Sequence, residues 1–167
     1  MKIIAIIVLV IIAIYVISKR NQFNKLRRAV KQQGADIGIQ ISKRTACLND
    51  ALSIAKNSYE KEVAGIEKLS PASQMEKLRY LGDMYPDLKS TQNYQTALAE
   101  SFELNKDIAA TRELLNGNIR EYNDEISNFP GLIVAAIFGY KQEKFIDEDN
   151  IEENKKLDKS DIDFSKF

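Results

Sequence analysis

YQTALAESFELNKDIAATRELLNGNIREYNDEI, residues 94–126, is the stretch whose reading decides the fold. Steps of four and three through it land on Tyr94, Leu98, Ser101, Asn105, Ile108, Arg112, Leu115, Ile119, Tyr122 and Ile126. Seven of these ten positions are apolar or aromatic, and no Pro interrupts them. A period near 3.5 held over 33 residues predicts one long helix with a coiled-coil-like seam. Ala97 and Leu104 widen the stripe, as a helix in a globular bundle requires. The helix would be about 50 Å long. It cannot bury its stripe alone, so the rest of the chain must supply partners. Asn105 and Arg112 lie on the seam and need polar partners if buried. They read either as positions that fix helix register or as one wall of a ligand site between helices.

Outside this stretch, low Gly and Pro, no Trp and few β-branched runs beyond residue 17 favour an all-α chain. The 167 residues carry 24 basic and 24 acidic side chains, a balance that argues against nucleic-acid binding. The distribution is uneven. Residues 1–31 hold seven Lys/Arg and no acid, whereas residues 141–167 hold nine acids and six Lys. The single Cys47 cannot form an internal disulfide and gives no sign of an oxidising compartment. Beside Leu48 it reads as a small apolar side chain.

Residues 1–20 read as an N-terminal transmembrane anchor. Ile3 to Ile17 is an unbroken apolar run of 15 residues, with Ile3, Ile7, Ile11, Tyr15 and Ile17 spaced along it. Fifteen residues reach about 22 Å of a hydrocarbon core near 30 Å. Lys2 can snorkel at one end and Tyr15 suits the interface at the other. A cleaved signal peptide is the competing reading, because such apolar regions run about 7–15 residues. No small-residue cleavage pattern follows, since Ile17 leads directly to Ser18-Lys19-Arg20. The charges Lys19, Arg20, Lys25, Arg27, Arg28 and Lys31 follow the run. By the positive-inside rule they keep the body in the cytoplasm and place the short N-terminus outside, in a single pass. The same charges suit anionic lipid head groups.

Residues 21–69 read as the long partner helix. Phe23, Leu26, Val30, Ile37, Ile41, Leu48, Leu52, Ala55, Tyr59, Val63, Ile66 and Leu69 follow helical spacing. Gly34 and Gly38 lie four apart on one face, which points to close approach of another helix or to a hinge. Ser70-Pro71 caps and opens a short helix to Asp83. Tyr85-Pro86-Asp87-Leu88-Lys89 reads as a turn, because Pro86 disfavours helical backbone at Tyr85. Pro130 and Gly131 stop the seam helix. The apolar run Leu132–Phe138 is too short to span a bilayer. It either packs back on the bundle end or touches the membrane interface or another subunit. Residues 21–140 thus form an antiparallel bundle of three to four helices. From Lys141 the chain reads as a charged, disordered tail.

These pieces resemble the LemA family of bacterial membrane-anchored helical proteins. The matching residues include Phe23-Asn24, Asp36-Ile37, Lys43-Arg44, Tyr85-Pro86 with Leu88, and Asn105. The most specific are Tyr122-Asn123, Phe129-Pro130 and Phe138-Gly139-Tyr140. The family's usual Trp before the Asp-Ile pair is missing here, and the stretch from Glu62 to Tyr85 is shorter. The resemblance implies a single anchor in the bacterial cell membrane, a helical cytoplasmic body and, for some members, remodelling of internal membranes.

Two function classes follow. One is a non-enzymatic scaffold that meets membrane lipids and self-associates as a homo-oligomer, because the stripe is more than one short bundle can cover. The alternative is a regulatory adaptor whose acidic tail recruits an unidentified protein partner. An enzyme is not expected: the chain has no His, no Glu-x-x-His pair, no phosphate loop and no Gly-x-Ser-x-Gly. No cofactor or metal is expected either.

Overall fold

A computed structural model describes residues 1–146. Among these residues every regular element is a helix: α1 (Lys2–Val63), α2 (Pro71–Met84), α3 (Pro86–Ser90), α4 (Gln92–Ser127) and α5 (Gly131–Phe138), with a 3-10 turn at Ile66–Lys68. The acids from Asp147 to Glu153, on which the adaptor reading leans, lie outside the described residues. The chain divides into two compact units. The central unit is Gly34–Thr111, and the terminal unit joins Met1–Gln33 to the chain from Arg112 onward.

In the central unit, α1 and α4 run antiparallel. Gln40 pairs with Thr111 at 3.4 Å and Arg44 with Asn105 at 2.6 Å. Leu48, Leu52, Val63, Met75, Leu78, Leu81, Leu88 and Tyr94 close one core. Each buried side chain of this size is worth about 1.5–3 kcal/mol against exposure. Ser70 caps α2 by accepting from the Ser73 amide at 3.4 Å, with Pro71 in the first turn, as the sequence predicts.

Three readings are corrected here. The partner helix ends at Val63 rather than Leu69. Gly65, in the left-handed region at φ +94°, turns the chain into the 3-10 element, and Leu69 is exposed. The segment after Tyr85 is a short helix, not a turn: Pro86 fits the first helical position while Tyr85 stays extended before it. Gly34 and Gly38 do not mark a close approach, since a Cβ at either would meet nothing within 4 Å, and both lie within unbroken helix. The non-helical residue inside α1 is Tyr59 (φ −134°, ψ 46°), whose ring lies 4.1 Å from that of Tyr85. Gly82 is buried within α2, where a Cβ would press to 3.3 Å of the Tyr94 ring.

Every seam position is buried or half-buried, from Tyr94 through Ile126. The stripe is therefore covered within each unit, and an excess of it is no argument for oligomers. The first fourteen residues differ completely: all are exposed, and their window of α1 has a mean hydropathy of 2.6 with none of it buried.

Candidate functional site

The terminal unit gathers most of the residues singled out in the sequence. Its core is Phe23, Tyr122, Ile126, Val134 and Ala135, with Tyr15, Val16, Leu26 and Tyr140 packed against it. Phe23 is fully buried and meets the Tyr140 ring edge-on, at 5.2 Å between centroids and 75° between planes. Such aromatic pairs add about 0.5–1.5 kcal/mol beyond burial. Gly131 opens α5 at a place with no room for a side chain. A Cβ there would sit 2.1 Å from the Glu125 carbonyl oxygen and 3.3 Å from the Phe23 ring. Gly139 then ends α5 in the left-handed region at φ +71°. The Phe129-Pro130 bond is cis.

The segment after α5 is fastened to α4 by side-chain amides. Asn123 donates to the Glu143 carbonyl at 2.8 Å and accepts from the Glu143 amide at 2.9 Å. Asn116 does the same for Ile146, at 2.9 Å in both directions. A primary amide presents a donor and an acceptor side by side, so each Asn pairs with one residue as a neighbouring strand would. The spacing fits. Seven helical residues advance about 10.5 Å, and three extended residues about 10 Å. Tyr122 adds a hydrogen bond from its hydroxyl to the Lys141 carbonyl at 3.0 Å, and Tyr140 donates to the Asn24 side chain at 2.8 Å. Burial pushes the Tyr122 hydroxyl above its ordinary pKa, so it remains a donor. Residues 141–146, expected to begin a disordered tail, are thus held on the body.

The basic residues divide. Lys19 pairs with Glu125 at 2.6 Å, and Arg27 lies 3.6 Å from Glu143. Arg20 lies over the Phe138 ring, 5.0 Å from its centroid. Lys25 and Arg28 are exposed, and Lys31 is half-buried. Of the anchor residues, Ile3, Ile7, Ile11 and Ile17 are exposed, and Tyr15 is half-buried. Phe129 is exposed as well. Tyr85, Pro86 and Leu88 belong to the central unit, where only Leu88 is buried.

Two roles are not evident from the sequence. Arg44, named above only within the resemblance, supplies the polar partner that Asn105 requires, and its signal is its place in the series Ile37, Ile41, Arg44, Leu48. Asn116 lies seven residues before Asn123, a spacing visible only once the clamp is known.

Among the described residues no three His, Cys, Asp or Glu converge as metal ligands. Burial, followed by the nearby Glu100, raises the Cys47 thiol above its ordinary pKa, which disfavours the nucleophilic thiolate. A shallow cleft beside Pro130 mixes Lys19, Arg120, Glu121 and Asp124 without a convergent donor set. Compared with known proteins, residues 16–164 match the model of the LemA family. No curated protein and no solved structure matches the chain.

Proposed function

The chain belongs to the LemA family, and from that premise we propose that it is a membrane-tethered, non-enzymatic helical scaffold that organises membrane or partner proteins. The observation that carries this reading is α1. From Ile3 to Ile14 every residue is apolar and exposed, and the same helix continues into the packed body. Exposure of an entire apolar turn after turn has no use in water and suits lipid. The charges Lys19 to Lys31 support a cytoplasmic body with the N-terminus outside. The absence of His from the sequence and the raised Cys47 thiol support a role without catalysis. Because the seam is covered, self-association falls to the lipid-facing run and to exposed side chains such as Ile39 and Leu114.

The test is extraction of membranes containing the full chain with alkaline carbonate, followed by sedimentation in mild detergent. Retention through the wash and a defined homo-oligomer support the proposal. Release by carbonate removes the anchor, and a monomer at every concentration removes self-association.

A further inference from the structure

We propose that α5 is a second membrane contact, an interfacial helix lying in the head-group layer beside the anchor; the inference rests on the anchor reading above. The first argument is what α5 exposes. Gly131, Val134 and Ala135 face the core, and the other side presents Leu132, Ile133, Ile137 and Phe138, which are 52, 53, 66 and 43% exposed. No residue from Gly131 to Phe138 is polar or charged. A helix with one face in a core and the other apolar needs an apolar cover.

The second argument says what covers it. Tyr15 and Val16, in the last turn of the apolar run, pack against the same cluster as Val134 and Ala135. The α5 helix is therefore docked where the run ends. The run falls roughly 8 Å short of a bilayer core, and Ser18, Lys19 and Arg20 follow it. An apolar helix at that level lets the short span and the body share the boundary, with apolar side chains sunk about 5–10 Å into the interface. The third argument is charge. Arg20 reaches over Phe138 at the edge of this surface, and Lys25 and Arg28 of the same unit are exposed. Apolar side chains flanked by cations suit an anionic lipid surface.

The experiment places single cysteines at Ile7, Ser53, Ile133 and Ile137 in the full chain carrying Cys47→Ala. Each carries a nitroxide label, and the proteins are reconstituted in phosphatidylcholine–phosphatidylglycerol vesicles. All four positions are exposed, so the fold, followed by circular dichroism, is retained. Relaxation by oxygen is compared with relaxation by a water-soluble nickel chelate. Labels at 133 and 137 are expected to favour oxygen several-fold over the label at 53, in the same sense as the label at 7. If 133 and 137 behave like 53 while 7 lies in lipid, the α5 contact is overturned and the anchor stands. If 133 and 137 are shielded from both reagents and show dipolar coupling between copies, a second chain covers α5 and the lipid contact is overturned. If 7 itself is open to the chelate, the anchor reading fails and takes this inference with it.

Discussion

The guanidinium of Arg44 donates to the side-chain oxygen of Asn105 at 2.6 Å, from a residue only 5% exposed. A buried cation met by an amide between two helices fixes their register, because sliding either helix strips the charge of that bond. Asn105→Ala is expected to cost about 2–3 kcal/mol, the usual loss for a hydrogen bond to a charged group. The double variant Arg44→Met with Asn105→Leu should recover much of that, since the buried charge and the amide that meets it leave together. Denaturant unfolding of the two variants checks both. A cost below about 0.5 kcal/mol for Asn105→Ala would reduce the pair to surface decoration.

Glycine substitutions should divide sharply. Gly131→Ala forces a methyl against the Glu125 carbonyl and the Phe23 ring, and should cost about 3 kcal/mol, the upper end for overpacking. Gly34→Ala and Gly38→Ala meet open space within a helix, and should each stabilise by about 0.5–1 kcal/mol. In thermal melts that is a gain of about 2–4 °C per kcal/mol for a chain of this size. Destabilisation by Gly34→Ala would restore the close-approach reading rejected above.

Replacing Asn123 with Ala should free the Glu143 amide, and replacing Asn116 the Ile146 amide. Loss of about 1.4 kcal/mol of local protection is about a tenfold faster hydrogen exchange. The effect should stay local, with the central unit unchanged. Equal exchange in parent and variant would mean that the amides do not hold the segment.

Alkaline stability should follow Tyr94. Burial raises its hydroxyl from 10.0 to about 12, and the hydroxyl donates to the Leu78 carbonyl at 2.5 Å. The folded state holds that proton more tightly, so its stabilisation is complete below pH 10 and is lost as pH rises through about 12. The loss is on the order of 2–3 kcal/mol. Tyr94→Phe should flatten this fall, at a cost of about 1 kcal/mol at neutral pH. An unchanged alkaline limb in the Phe variant would assign the fall to other groups.

The seam from Tyr94 to Ile126 was legible because periodicity is a one-dimensional record of which face is buried. All ten positions fell on that face, Asn105 included. Pro86 is ambiguous in sequence, because it disfavours helical backbone at Tyr85 and equally suits the first position of a helix. Gly34 and Gly38 were misread because a Gly tells that a side chain is absent, not what occupies its place. The grip of Asn116 on Ile146 leaves no periodic trace, since one partner lies in a helix and the other outside any repeat. Within the candidate site, Tyr122 and Asn123 could be pointed to by resemblance, whereas their bonds to Lys141 and Glu143 required coordinates.

Asn116 and Asn123 together work as a ruler. Two turns of α4 separate the marks, and three residues of the following chain must match that interval. One residue added or removed between Glu143 and Ile146 would leave one mark unread, whereas a change of side chain at Lys144 or Phe145 would go unnoticed. What α4 measures there is chain length, indifferent to composition.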